Sequence, residues 1–81
     1  MENLGKTIRR WRRQKGLRQE DLEASTGLAQ AYLSDLERGD IKDPGISKLV
    51  RICKVLGRSL DELVGEASGD SEAARLRPAA A

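Results

Sequence analysis

The sequence has no histidine, no phenylalanine, two prolines, and one residue each of cysteine, tryptophan and tyrosine. Each scarcity excludes something. Without histidine, Ser25, Ser34, Ser47, Ser59, Ser68 and Ser71 have no imidazole to activate them as nucleophiles. The carboxylates fall singly on helix surfaces and not as a facing pair, so acid–base catalysis lacks its parts. The glycines form no phosphate-cradling loop. No enzymatic activity is expected. Cys53 stands alone, so an intramolecular disulfide is excluded, and no residues recur at metal-ligand spacing. Neither a metal, a cofactor nor a small-molecule ligand is expected. No apolar run reaches the length of a membrane span, and no signal-like segment follows Met1, which points to the cytoplasm. At 81 residues the chain makes one small domain, with no room for a cleft between two layers. Its core must be aliphatic.

Charge is plentiful and unevenly placed. The net charge is only +2. Residues 1–18 nevertheless carry Lys6, Arg9, Arg10, Arg12, Arg13, Lys15 and Arg18 against Glu2 alone, and the rest of the chain is net acidic. A basic end on a near-neutral protein suits a polyanion; the plainer alternative is a solvated charged helix face.

Periodicity divides the chain into five short helices and no strands, an all-α protein. The first runs over about 4–15, with Leu4, Ile8 and Trp11 on one face, Asn3 as a cap and Gly16 as the stop. Arg12 borders that face. Leu17 is a staple to the next helix, at about 19–26. Arg18, in the cap position, has no acceptor oxygen, so the amide groups there are left for another partner such as phosphate. Pro44 and Gly45 open a fourth helix, 46–56, on which Ile46, Leu49, Val50, Cys53 and Leu56 share a face with Ile52 at its edge. Cys53 reads as a small buried hydrophobe. Val55 falls on the outer face, an odd place in a monomer. Ser59 to Glu62 is a capping box that starts a fifth helix ending near Val64. From Gly65 the pattern stops. The expected division is a folded domain over 1–65 and a flexible tail over 66–81.

The chain is organised around residues 19–38. A helix ends at Gly27, which tolerates positive φ, and a second helix follows. Stepping about 100° per residue places Ala29, Tyr32, Leu33 and Leu36 on one side. Gln30, Ala31, Ser34, Asp35 and Arg38 fall on the other, with Glu37 at the seam. The polar face is slim and fits a DNA major groove.

The pattern GLRQEDL…TGLAQAYLSDLERG followed by PGISKLVRICKVLGRSLDEL resembles the Cro and lambdoid-repressor (XRE) class of helix-turn-helix proteins, over about residues 4–64. The resemblance implies a compact five-helix, lambda-repressor-like domain. It implies base contacts from Gln30, Ala31, Ser34 and Asp35, and phosphate contacts from Gln19, Arg38 and the loop after it, which holds Lys42. Gln19 would also brace Gln30. Arg13, Arg18 and Tyr32 join the expected phosphate set. Arg12 and Glu37 match a buried ion pair between the first and third helices. Three positions depart from the pattern. Arg18 replaces the usual cap, Glu23 stands where alanine is preferred at the helix crossing, and Ala31 offers a base only a methyl contact.

The resulting expectation is a sequence-specific DNA-binding regulator, a repressor acting as a homodimer on a two-fold operator in double-stranded DNA. Val55, Leu60, Leu63 and Val64 are the expected dimer surface. An antitoxin or a restriction-modification controller of the same fold, or a protein-binding adaptor, are the alternatives.

Overall fold

The computed structural model describes residues 4–67. The described residues form five helices: α1 (Leu4–Gln14), α2 (Gln19–Thr26), α3 (Gln30–Arg38), α4 (Ile46–Leu56) and α5 (Leu60–Ala67). α1 packs on α3 and α5, α2 on α3 and α4, and α4 on α5. The shared core holds Leu4, Ile8, Trp11, Leu22, Leu33, Leu36, Leu49, Ile52, Cys53, Leu56 and Leu63. It is the aliphatic core that the missing aromatics require. Each fully buried leucine or isoleucine stabilises it by about 1.5–3 kcal/mol.

Two glycine stops set the middle of the fold. Gly27 has φ of 79° and its N–H bonds the carbonyl of Glu23, closing α2 in a left-handed turn. Gly39, with φ of 85°, closes α3 in the same way onto Asp35 and Leu36. A side chain at either position would be strained. The turn after α2 has a second fastener that the pattern did not reveal. The buried Thr26 Oγ1 donates to the Leu22 carbonyl at 2.6 Å and accepts from the Leu28 N–H at 3.1 Å. Leu28 is thereby fixed with its side chain in the core.

Helix α4 is rotated from the expected phase. Ile52 is completely buried, Val50 only half-buried, and Ile46 is 68% exposed. The buried face is Leu49, Ile52, Cys53 and Leu56. The apolar stripe of α4 is wider than the face its neighbours α2 and α5 cover, and Ile46 lies beyond it at the first turn. There it joins Leu4, Ile41, Pro44 and Leu49 along an open groove. Burial pushes the Cys53 thiol upward in pKa, away from the reactive thiolate.

Helix α5 begins as expected. Ser59 Oγ accepts from the Glu62 N–H at 3.1 Å, and Glu62 returns a carboxylate to the Ser59 N–H at 2.9 Å. That bond, with Arg58 beside it, holds the Glu62 carboxyl below its ordinary pKa. The helix does not stop at Val64. It passes Gly65 and runs to Ala67, which is buried, while Glu66 pairs with Arg10 of α1. One small residue and one ion pair extend the helix by a turn where periodicity gave no signal. The rest of the expected tail, 68–81, lies outside the described residues.

Gly5 is the tightest point of the fold. A Cβ built there would overlap the carbonyl oxygen of Leu36 and sit 3.0 Å from that of Glu37. The backbone of α1 therefore rests directly on the end of α3.

Candidate nucleic-acid interface

The third helix is held by a charged network at the junction of three helices. Arg12 on α1 donates from Nε to Glu37 Oε2 at 2.7 Å and from one terminal nitrogen to Oε1 at 2.9 Å. Its other terminal nitrogen donates to the Leu17 carbonyl at 2.7 Å. Gln19, the first residue of α2, donates its amide to Glu37 Oε1 at 3.1 Å. Arg12 and Glu37 are 8% and 4% exposed, so a planar fork meets a planar carboxylate with little water to screen it. The hydrogen bond to Glu37 raises the Arg12 pKa further, so the guanidinium stays charged. One carboxylate on α3 thus locks α1, α2 and the turn between them. Gln19 is turned onto Glu37, where the family pattern had suggested bracing of Gln30.

With its inner face fixed, α3 turns outward the residues expected to meet bases. Gln30 and Ala31 are exposed, and Ser34 and Asp35 half-exposed. Its first turn has no side-chain cap at Ala29. Glu23, the departure at the helix crossing, points into solvent and leaves the α2–α3 packing to Leu22 and Thr26. At α2, Arg18 makes no side-chain cap; Asp21 instead accepts from the Arg18 N–H at 2.8 Å.

Beside this face lies a polar notch of about 340 Å³ walled by Arg9, Arg12, Arg13, Gln19, Ser34, Glu37 and Arg38. Arg13 and Arg38, both expected at phosphates, are thereby brought onto one concave surface. Arg9 joins them although no pattern singled it out. It stands one turn before Arg13 on α1, and that i, i+4 spacing toward α3 is the signal that would have found it. Arg18 and Lys42 are exposed and lie outside the notch; Arg18 reaches Glu20 at 3.2 Å.

Arg38 is not a free cation. Its Nε donates to Asp40 at 3.0 Å, one terminal nitrogen donates to Ser34 Oγ at 2.9 Å, and the other bonds Asp35. The bond to Asp40 is the main cause of its raised pKa.

Two expected contacts are corrected. Tyr32 was expected at a phosphate, but its hydroxyl is buried and has no hydrogen-bond partner among the described residues, so it does not reach the surface. Burial raises its pKa, and Lys48 of α4 sits over the ring, 4.7 Å from its centroid. Leu63 was expected at a dimer surface, but it has no exposed area and belongs to the core. α5 turns Leu63 toward its partners α1 and α4, and leaves Leu60 and Val64 half-buried at the rim, with Val55 of α4 also half-buried.

Two short helices joined at a left-handed glycine, the second outward-facing and clamped from behind, are the geometry that comparison with known proteins bears on. The helix-turn-helix family matches residues 8–63. This chain belongs to that family, in its Cro and lambdoid-repressor (XRE) class. The matched helix-turn-helix segment begins in α1 and ends in α5, so it takes in both the network around Glu37 and the outward face of α3. Among curated helix-turn-helix relatives, an uncharacterized HTH-type transcriptional regulator, y4dJ of Sinorhizobium fredii, is 46% identical over 61 residues, covering 75% of this chain and 78% of y4dJ. The HTH-type transcriptional regulator SinR of Bacillus licheniformis is 33% identical over 63 residues, covering 78% of this chain and 57% of SinR. This chain therefore spans little more than half the length of SinR. Among solved structures, the clp gene regulator ClgR of Corynebacterium glutamicum superposes with a TM-score of 0.79 at 34% identity, covering 96% of this chain and 84% of ClgR. The helix-turn-helix regulators are a non-enzymatic class. Among the described residues no helix is long and apolar enough to cross a membrane.

Proposed function

We propose that this helix-turn-helix protein is a sequence-specific DNA-binding repressor that acts in the cytoplasm as a homodimer on a two-fold operator. One observation carries the reading: the slim polar face of Gln30, Ala31, Ser34 and Asp35 stands beside a notch to which Arg9 and Arg13 contribute their side chains. A base-reading surface and a phosphate-binding surface are thus adjacent on one side of the molecule. Gln30 opens α3 and its amide can bond adenine N6 and N7 together. Ala31 suits a thymine methyl. Asp35 is repelled by phosphate and gains only where a base offers a donor, such as cytosine N4. Arg13 and Arg9 in the notch, with Gln19 at its edge, and Arg18 and Lys42 outside it take backbone phosphates.

Selection from randomised duplexes tests this directly. Gln30→Ala should lose about 1–3 kcal/mol on the selected operator and relax preference at one base pair per half-site. Asp35→Asn should shift preference at a different pair. If both variants return the parental motif with lower affinity only, α3 positions the protein and the sequence is read through DNA shape.

The proposed homodimer would pair through the half-buried apolar rim of Val55, Leu60 and Val64. A two-fold pairing there would set the two α3 helices about 34 Å apart, one turn of DNA. Val64→Asp should leave the fold intact, because Val64 is outside the core, and should abolish cooperative operator binding. Losing the second half-site should lower operator affinity by at least roughly a hundredfold. Sedimentation of the variant as a dimer, with cooperativity unchanged, would place the interface elsewhere.

A further inference from the structure

We propose that Asp40 is a specificity-determining residue, which holds Arg38 against the recognition face and withholds it from indiscriminate contact with phosphate. The inference rests on the DNA-binding reading above and deepens it.

The geometry begins at the end of α3. The Asp40 N–H bonds the Asp35 carbonyl at 2.9 Å, which folds the chain back just past Gly39 and brings the Asp40 carboxylate level with the last turn of the helix. From there it takes the Nε–H of Arg38. With that edge of the guanidinium anchored, the two terminal nitrogens point back along α3, one to Ser34 and one to Asp35. These are two of the four residues proposed to face bases. The three acceptors use three of the five N–H donors of Arg38, and use them in the plane of the group. Ser34 Oγ accepts from Arg38, so its own proton is left to be offered outward. Asp35 is held at a fixed point on the face.

Charge decides the consequence. Arg38 contributes one positive charge to this cluster, and Asp35 and Asp40 contribute two negative ones. The cluster is net negative, and its one cation has three of its donors already engaged and is held back along α3. Phosphate is therefore disfavoured at this corner of the face. Attraction is regained only where a base donates to Asp35. An interface built this way loses affinity for arbitrary DNA and keeps it for the right base, which is how specificity is made from repulsion as well as attraction. The side chains of Arg38, Asp35 and Asp40 are 57%, 45% and 60% exposed, so the tether can exchange in water. Removing one anchor is then enough to release the guanidinium.

Asp40→Asn is the test, with Asp43→Asn as its partner. Both remove one negative charge from the same exposed loop, but only Asp40 binds Arg38. Affinity is measured on the duplex selected by the wild-type protein and on a scrambled duplex of equal length, each across a salt series. Asp40→Asn should tighten binding to the scrambled duplex roughly fivefold, the effect of one unit charge about 4 Å away in water. It should steepen the salt dependence by about one phosphate contact and lower the ratio of selected to scrambled affinity. Asp43→Asn should leave the salt slope and that ratio near wild type. Equal behaviour of the two variants would overturn the role of Asp40, since loop charge alone would then explain both. An unchanged ratio in Asp40→Asn would overturn it as well. A wild-type selection that returns no motif would overturn the DNA-binding reading itself, and this inference with it.

Discussion

Gly5→Ala should destabilise the domain by at least about 2 kcal/mol. In most helices the same change stabilises, because alanine is about 1 kcal/mol better than glycine in a helix interior. Here the added Cβ would overlap the Leu36 carbonyl oxygen and crowd that of Glu37. Both oxygens belong to backbone at the end of α3 and cannot rotate aside like a flexible side chain. Relief requires α1 and α3 to separate, and separation opens gaps around Leu4, Ile8 and Leu36, all buried. A described body of 64 residues has a total stability on the order of 3–10 kcal/mol, so the loss is a large fraction of it. Urea unfolding of Gly5→Ala should show a lower midpoint with the slope unchanged. DNA affinity should fall by more than the unfolded fraction explains, because the shift moves the base of α3. A wild-type midpoint would show that the two helices are not in backbone contact.

Glu37→Ala should be at least as damaging, about 3–5 kcal/mol. The carboxylate accepts two bonds from Arg12 and one from Gln19, and is 4% exposed. Its removal leaves a guanidinium in the interior with only the Leu17 carbonyl as partner. The penalty is that of the abandoned charge, not the net worth of the pair. Glu37→Gln keeps the shape and one acceptor oxygen but still leaves Arg12 uncompensated, so it should fall between wild type and Glu37→Ala. Pairing Glu37→Leu with Arg12→Met should recover much of the loss, since well-packed apolar residues often replace a buried ion pair without harm. Near wild-type midpoints for both single variants would mean that water reaches the pair and screens it.

The two sites are neighbours. Gly5 meets the carbonyls of Leu36 and Glu37, while Arg12 and Gln19 meet the Glu37 side chain. Two consecutive residues of α3 therefore take its position from both helices that flank it. For a reading helix this is useful. Placement errors of an ångström cost hydrogen bonds to base edges, and a rigid scaffold fixes the face before DNA arrives.

The sequence by itself determined the five helices and the glycine stops of the first four. The 3.6-residue period, the capping box at Ser59 and the glycines after α1, α2, α3 and α4 are local features, and local backbone energetics is enough to read them. The outward face of α3 was legible for the same reason, because only one side of that helix is apolar. The joining of Arg12 to Glu37 came from the family pattern, and the structure shows the partners and distances. Tertiary structure alone decided the rest. Periodicity gives the phase of a stripe but not which part of it a neighbour covers, so Ile46 and Ile52 of α4 exchanged their expected environments and Leu63 went to the core. A glycine inside a helix carries no mark of what lies against it, so the contact at Gly5 was invisible in one dimension. Arg9 and the tether from Asp40 to Arg38 were hidden for a related reason. A charged residue looks solvated in sequence, and only the packing of α1 against α3, with the fold-back past Gly39, shows which charges share a surface and which are already spoken for.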